Sequence, residues 1–142
     1  MIMKKYITLL VVVLFLTSGH TAAQGKNDVK TALKSIIELC KAKKFDEAAK
    51  SVAFCVNEKT GEYKAADLSN KEQHNTSSRL VKRIGALASV SDSFEIGNSS
   101  PKKINGTDMT ETEVNFVSGS QSIKSLFRFV KINDEFLLAE VE

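Results

Sequence analysis

The sequence predicts an α+β domain in which two to three N-terminal helices pack on a curved antiparallel sheet that ends in a three-stranded meander. Two observations carry this prediction. Apolar residues recur at helical spacing between residues 29 and 88, and from Ser91 onward the period changes to two. Short turn sequences then divide the second half of the chain into strands. The apolar content of the whole chain, 42%, is normal for a globular protein, and residues 24–142 are predicted to form one domain with one hydrophobic core.

The first 23 residues have the three-part layout of a secretory signal peptide. Lys4 and Lys5 precede an apolar run from Tyr6 to Leu16, and small residues lead to a cleavage position after Ala23. The apolar run is too short for a transmembrane anchor, which needs roughly 20 residues. We therefore expect residues 1–23 to be removed and the rest of the chain to be exported, to a periplasm or the extracellular space.

Loss of the two signal-peptide lysines brings the formal net charge from +3 to +1. A chain so close to neutrality gives no electrostatic argument for nucleic acid or for an anionic membrane. Beyond Ala23 no apolar run is long enough to span a bilayer.

Two helices are predicted at the start of the domain. Asn27 or Asp28 can cap the first, whose apolar residues from Val29 to Cys40 follow the i, i+3, i+4 pattern. Phe45 is predicted to fix the angle to a short second helix that Asp46 caps. We expect this second helix to continue past Val52, which would place Cys55 on its buried face.

A turn-rich connection, Asn57 to Asn70, follows, with a short strand at Glu62 to Ala65 as one interpretation. The third helix is predicted to begin at Ser69, because Glu72 stands three residues on as in a capping box. Gly85 is expected to weaken this helix by about 1 kcal/mol relative to Ala.

The strands come last. The sequence SDSFEIG predicts a short strand, and GNSSPKKING predicts turns throughout. Three longer strands follow, joined by tight turns at Gly119–Ser120 and Asn133–Asp134. In the second of these strands, Phe127, Phe129 and Ile123 share one face, and we expect that face to pack against the helices.

Two stretches resemble the nuclear-transport-factor-two-like group, a cone-shaped α+β fold related to cystatins. KAKKFDEAAKSV is similar to the first helix-turn-helix of the group, and FRFVKINDEFLLAEVE to its terminal hairpin, with Phe136 where many members carry Trp. The likeness is closest to small exported bacterial domains of uncharacterised function. It implies a pocket between the sheet and the long helix, in which enzymes such as ketosteroid isomerase and scytalone dehydratase place acidic, Tyr or His side chains.

The titratable residues that could serve such a pocket are Tyr63, Asp67, His74 and Glu113. General acid–base catalysis needs a titratable group in an apolar setting. His74, however, stands among polar residues at a helix start, where solvent exposure is the usual outcome. We therefore assign no catalytic residue, and the ligand-binding residues stay unknown at this stage.

Cys40 and Cys55 are the two cysteines of the chain. An exported protein with an even cysteine count favours a disulfide, whereas the expected helical hairpin would hold the two Cα atoms beyond the ~7 Å that a disulfide allows. Disulfide and buried thiols both remain open. His20 is expected to be lost with the signal peptide, and the remaining His74 and two cysteines 15 residues apart do not make a zinc site. No motif indicates a cofactor.

These observations favour an exported, non-enzymatic binding or accessory module that uses a pocket or sheet face to bind a small molecule, a peptide or a protein. The alternative is a small-pocket enzyme of the isomerase or dehydratase type. A homodimer through the sheet is a further prediction, because apolar residues occur on both strand faces.

Overall fold

The computed structural model describes residues 28–142, and the predicted signal peptide lies outside the described residues. The elements follow in the order α1 (Val29–Lys41), α2 (Phe45–Ala49), β1 (Ala53–Asn57), β2 (Glu62–Ala65), α3 (Lys71–Ser89), β3 (Ser93–Ile104), β4 (Thr107–Ser118), β5 (Gln121–Ile132) and β6 (Glu135–Val141). The predicted α+β class is confirmed. Between residues 28 and 142, no helix is both long and apolar enough to cross a membrane.

Two antiparallel sheets make up the β structure. β3, β4, β5 and β6 form a four-stranded meander in sequence order, and β1 pairs with β2 in a separate hairpin. The hairpin is tied to the larger sheet where Val52 bridges Leu138 in parallel, with the Leu138 amide donating to the Ser51 carbonyl at 2.8 Å. The large sheet therefore has β3 as one outer strand, while β1 continues from the β6 side.

The main core lies between the helices and one face of the large sheet. Helix α1 contributes Leu33, Ile36 and Ile37, and the sheet contributes Val114, Phe116, Phe127, Phe129 and Leu138, all of them buried. Phe127 and Phe129 thus pack as predicted. Ile123 shares their strand face but is 51% exposed, because it lies near the end of β5, beyond the part of the sheet that the helices cover.

A smaller core lies on the opposite face of the large sheet. Met109, Val130 and Leu137 are buried there against Ala53 of β1, and Tyr63 of β2 packs against the same group. The β1–β2 hairpin therefore covers part of the face that the helices leave open.

The helix ends differ in detail from the prediction. Asp28 caps α1, as expected. Asn70 rather than Ser69 caps α3, with its side chain accepting from the amides of Glu72 and Gln73, while Ser69 instead donates to Asp67. No side-chain cap is present on α2; Asp46 lies in its first turn.

Helix α2 ends at Ala49, so the expectation that it continues past Val52 is wrong. Cys55 lies in β1, where Tyr63 is its cross-strand partner. A helix of five residues is too short to be stable without tertiary contacts, and the β-branched and aromatic residues that follow it favour a strand.

The prediction of turns throughout GNSSPKKING is also wrong. β3 continues through this segment to Ile104, and only Asn105 and Gly106 form the turn, both with positive φ. The segment has the composition of a loop, and its side chains from Asn98 to Lys103 are exposed in the structure. Polar residues and Pro101 are compatible with a strand at the outer edge of a sheet.

Helices α1 and α3 approach closely at Gly85. A β-carbon at this position would lie 3.1 Å from the carbonyl oxygen of Cys40 and 2.8 Å from Cε1 of Phe45. Phe45 packs against the main core. The glycine that weakens α3 locally is thus what permits the contact between the helices.

Candidate functional site

The candidate site is a pocket of about 500 Å³ between the β1–β2 hairpin, the N-terminal half of α3 and the outer end of the large sheet. Its walls come from β1 and the turn after it (Val52, Ala53, Phe54, Cys55, Glu58), from Gly61 and Tyr63, from α3 (Glu72, Thr76, Leu80), from the β3–β4 hairpin (Ile104, Asn105, Met109), and from Ala139 and Glu140 of β6. Small-molecule sites in proteins commonly have this size and this mixture of apolar and polar walls.

The hairpin wall is held to the sheet at its tip. The hydroxyl of Thr107, at the start of β4, donates to the carbonyl of Gly61 at 2.5 Å. Gly61 has φ +65, and a β-carbon there would overlap Thr107. This contact brings the β1–β2 turn against the β3–β4 turn and closes one side of the pocket.

A tyrosine–carboxylate pair lies in the pocket. The hydroxyl of Tyr63 donates to Glu140 Oε1 at 3.2 Å. Burial raises the pKa of Tyr63, and the neighbouring Glu140 and Cys55 raise it further. Tyr63 is therefore a neutral phenol at physiological pH and acts as a hydrogen-bond donor.

The second oxygen of Glu140 is bound on the other side. Arg128 Nη1 donates to Glu140 Oε2 at 3.0 Å, and the same guanidinium contacts Glu111 and Glu142 at 2.8–2.9 Å. These hydrogen bonds raise the pKa of Arg128 and, from the partner side, lower the pKa of Glu111. Glu140 thus joins the pocket to a charge network on the outer sheet surface.

A register shift in β6 turns Glu140 toward this network. Arg128 of β5 is opposite Glu140, but Phe129 is opposite Leu138, so Ala139 is an extra residue in β6. Such a bulge reverses the alternation of side chains along a strand. Leu138 and Val141 can then both be buried, while Glu140 lies on the face of the β1–β2 hairpin.

Of the four titratable candidates from the sequence, only Tyr63 lines the pocket. Asp67 is exposed and accepts hydrogen bonds from the amide and hydroxyl of Ser69, which lower its pKa. His74 lies on α3 with Nε2 3.6 Å from Asp46 Oδ1. Glu113 is on the outer sheet face, with Lys124 at 3.2 Å.

The two cysteines are free thiols with different surroundings. Cys40 is buried in the main core, and Cys55 is half-buried in the pocket wall. Burial raises the pKa of Cys40 to about 12, so this thiol is unreactive at neutral pH. No group of His, Cys, Asp and Glu between residues 28 and 142 is arranged to hold a metal ion.

Sequence reasoning missed Cys55 and Glu140 as pocket residues. The error at Cys55 follows from the expected length of the second helix. Glu140 depends on the bulge at Ala139, for which the sequence AEVE contains no glycine or proline signal. The pairing of Cys55 with Tyr63 could have been found only by recognising β1 as a strand.

The order of elements and the four-stranded meander define an α+β protein whose helices precede and pack on an antiparallel sheet. Neither a protein-family model nor a curated protein sequence matches the chain. A solved structure named "Rd1NTF2_05 with long sheet" is similar, with a TM-score of 0.49 and 12% sequence identity over 79% of this chain and 91% of that chain.

Proposed function

We propose that this chain is an exported, non-enzymatic module that binds a small molecule in the pocket between its β1–β2 hairpin and its large sheet. The observation that carries the proposal is the pocket itself: about 500 Å³, with walls of mixed apolar and polar side chains. Export is supported by the basic, apolar and small-residue segments of residues 1–23.

The alternative is a small-pocket enzyme of the isomerase or dehydratase type, and one observation favours it. Tyr63 and Glu140 are in contact within the pocket, beside Cys55. A general base, however, needs a carboxylate that the substrate can approach. Glu140 is held between two protein groups, because Tyr63 donates to one of its oxygens and Arg128 to the other, so one acceptor position on each oxygen is already taken. We therefore prefer binding to catalysis.

A fragment screen by NMR of ¹⁵N-labelled protein spanning residues 24–142 tests the binding function. Hits should shift the amide resonances of pocket residues such as Cys55, Tyr63 and Ala139. Thr76→Trp should abolish these shifts, because Thr76 is exposed on α3 and its side chain lines the pocket. Asn75→Trp is the matched control, since Asn75 is exposed on the same helix but does not line the pocket.

Hits that bind equally well to Thr76→Trp would show that the pocket is not the binding site. A screen in which every hit maps to other surfaces of a correctly folded protein would have the same consequence.

Export is tested separately by the intact mass of the protein recovered from the secreted or periplasmic fraction of the expressing cells. We expect a chain that begins at Gln24. Val12→Arg interrupts the apolar run of the signal peptide and should leave the full-length chain inside the cell. Full-length protein in the cytoplasm of cells that express the wild type would contradict the assignment.

A peptide or protein ligand, and a homodimer through the sheet, remain proposals of the same kind. Sedimentation equilibrium of residues 24–142 distinguishes monomer from dimer. A dimer that dissociates when Ile123, which is 51% exposed on β5, is replaced by Lys would support assembly through the sheet.

A further inference from the structure

We propose that the pocket takes a small organic cation, an amine with an apolar body, because its walls carry three carboxylates and no basic side chain. This inference rests on the proposed binding function and names the class of ligand for the same site. The carboxylates belong to Glu58, Glu72 and Glu140, and no Lys, Arg or His is part of the lining.

Two of these carboxylates have no protein partner. Both oxygens of Glu140 are bound to Tyr63 and Arg128. The side chains of Glu58 and Glu72, by contrast, make no ion pair or hydrogen bond within residues 28–142. Elsewhere on the surface, exposed glutamates such as Glu38 and Glu113 lie beside lysines. The carboxylates of Glu58 and Glu72 are therefore left without an ion-pair partner among the described residues.

The carboxylates are spread around the pocket instead of converging on one point. Glu58 follows β1, and Glu72 lies in the first turn of α3. No group of acidic, histidine and cysteine side chains among the described residues could hold a metal ion. Two separated carboxylates at the mouth of a cavity instead suit a cation whose charge lies at one end of a larger molecule.

The interior of the pocket fits the apolar part of such a molecule. Leu80, Ile104 and Met109 line it from three different elements, and burial of a ligand's apolar surface against them is favourable by about 25 cal/mol per Å². The attraction between a cationic group and Glu58 and Glu72 acts close to solvent, since both residues are exposed, and is therefore screened by salt.

Glu72 has a purely structural explanation as well. An acidic residue in the first turn stabilises a helix through the macrodipole. That role predicts a small loss of stability in Glu72→Gln and no change in ligand preference. The two explanations are separated by measuring affinity for ligands that differ only in charge.

The test uses three probes of nearly the same shape: 2-phenylethylamine, 2-phenylethanol and phenylacetate. Binding to residues 24–142 is followed by isothermal titration calorimetry and by NMR shifts of the pocket amides. We expect the amine to bind at least about tenfold more tightly than the alcohol, and phenylacetate more weakly than either, since the carboxylates attract the first and repel the last.

The double variant Glu58→Gln/Glu72→Gln should reduce the affinity for the amine by about tenfold or more and leave that for the alcohol unchanged. Glu95→Gln is the matched control. It removes the same charge from an exposed position on β3, nine residues along the strand from Ile104 and so roughly 30 Å from the pocket. Raising the salt concentration should weaken the amine alone.

Several results would overturn the inference. One is an alcohol or phenylacetate affinity equal to that of the amine, with shifts in the pocket; the binding function would then stand without the cation preference. Another is an amine affinity that the double variant leaves intact. A third is that the amine at millimolar concentration shifts none of the amide resonances of pocket residues. If no hit of the fragment screen shifts them either, the proposed binding function is wrong as well.

Discussion

Gly85→Ala should destabilise the protein, although alanine is the better helix former. Position 85 lies inside α3, where replacing glycine by alanine favours the helix by about 1 kcal/mol. The new methyl group would meet Cε1 of Phe45 at 2.8 Å and the carbonyl oxygen of Cys40 at 3.1 Å. Both distances are shorter than ordinary van der Waals contact, so the two effects oppose each other.

The clash should outweigh the gain in helix propensity. Overpacking a core typically costs 1–3 kcal/mol. The Phe45 ring is half-buried and can shift, but the Cys40 carbonyl belongs to the backbone of α1 and can move only with that helix. We therefore expect a cost near 3 kcal/mol, a net loss of about 2 kcal/mol and a fall in Tm of roughly 6–12 °C.

Urea denaturation followed by circular dichroism measures the change in the free energy of unfolding. Ala86→Gly is the matched control, because Ala86 is the next residue of α3 and is exposed; it should report helix propensity alone, about 1 kcal/mol. In a Phe45→Ala background, the cost of Gly85→Ala should fall by about 1 kcal/mol or more. A Gly85→Ala protein that is more stable than the wild type would refute the reasoning.

Three further predictions concern the burial of the core, the ionisation of Cys40 and the extent of the pocket lining. Phe129→Ala should cost about 3–5 kcal/mol because Phe129 is fully buried. Ile123→Ala, on the same strand face, should cost less than about 1 kcal/mol because Ile123 lies beyond the part of the sheet that the helices cover. Equal losses would contradict this extent of the core, and a negligible loss for Phe129→Ala would place the core on the wrong face. Burial raises the pKa of Cys40 to about 12, above the ~8.5 of an unfolded thiol. Between these two pH values the folded state keeps a proton that the unfolded state loses, so the free energy of unfolding should fall as the pH rises. Cys40→Ala should flatten that fall, and an unchanged pH profile in this variant would contradict the prediction. His74→Ala should leave ligand binding within about twofold, since His74 lies outside the pocket lining; a loss above tenfold in a folded variant would favour the enzyme alternative.

The cysteines give a direct chemical test of where the pocket lies. In native protein at neutral pH, iodoacetamide should label Cys55, which is half-buried in the pocket wall, and leave Cys40 unmodified until the chain is denatured. Peptide mass spectrometry with time distinguishes the two sites. Labelling of Cys40 at the same rate as Cys55, or a disulfide between them in the purified protein, would contradict the arrangement described above.

The sequence was most informative where side-chain chemistry alone decides the local structure. Asn133 and Asp134 both adopt positive φ in the tight turn between β5 and β6, as expected for residues that tolerate this conformation. Thr112, Val114 and Phe116 alternate in the sequence with Glu113 and Asn115, and they share a buried face in β4. In these places one face is buried and the other is not, so the pattern is unambiguous.

The sequence was least informative where tertiary contacts override local preference. The segment from Asn98 to Lys103 has the composition of a loop, but it pairs with β4 from Ser99 onward. The end of α2 and the start of β1 depend on the contact between Val52 and Leu138, which is remote in sequence. The pocket is lined by β1 and by the β3–β4 hairpin, which are the two segments that local sequence preference predicts least well. For this reason Tyr63 is the one titratable pocket residue that could be identified from the sequence.

β3 is the outer strand of the large sheet, and its exposed edge has consequences for self-association. An unprotected edge strand offers backbone donors and acceptors to any other extended chain. Here Pro101 has no N–H to offer, and a register shift between Ile96 and Ser99 interrupts the regular edge. Two copies meeting along β3 would therefore find an irregular edge with one donor missing, which disfavours fibril-like growth through this strand.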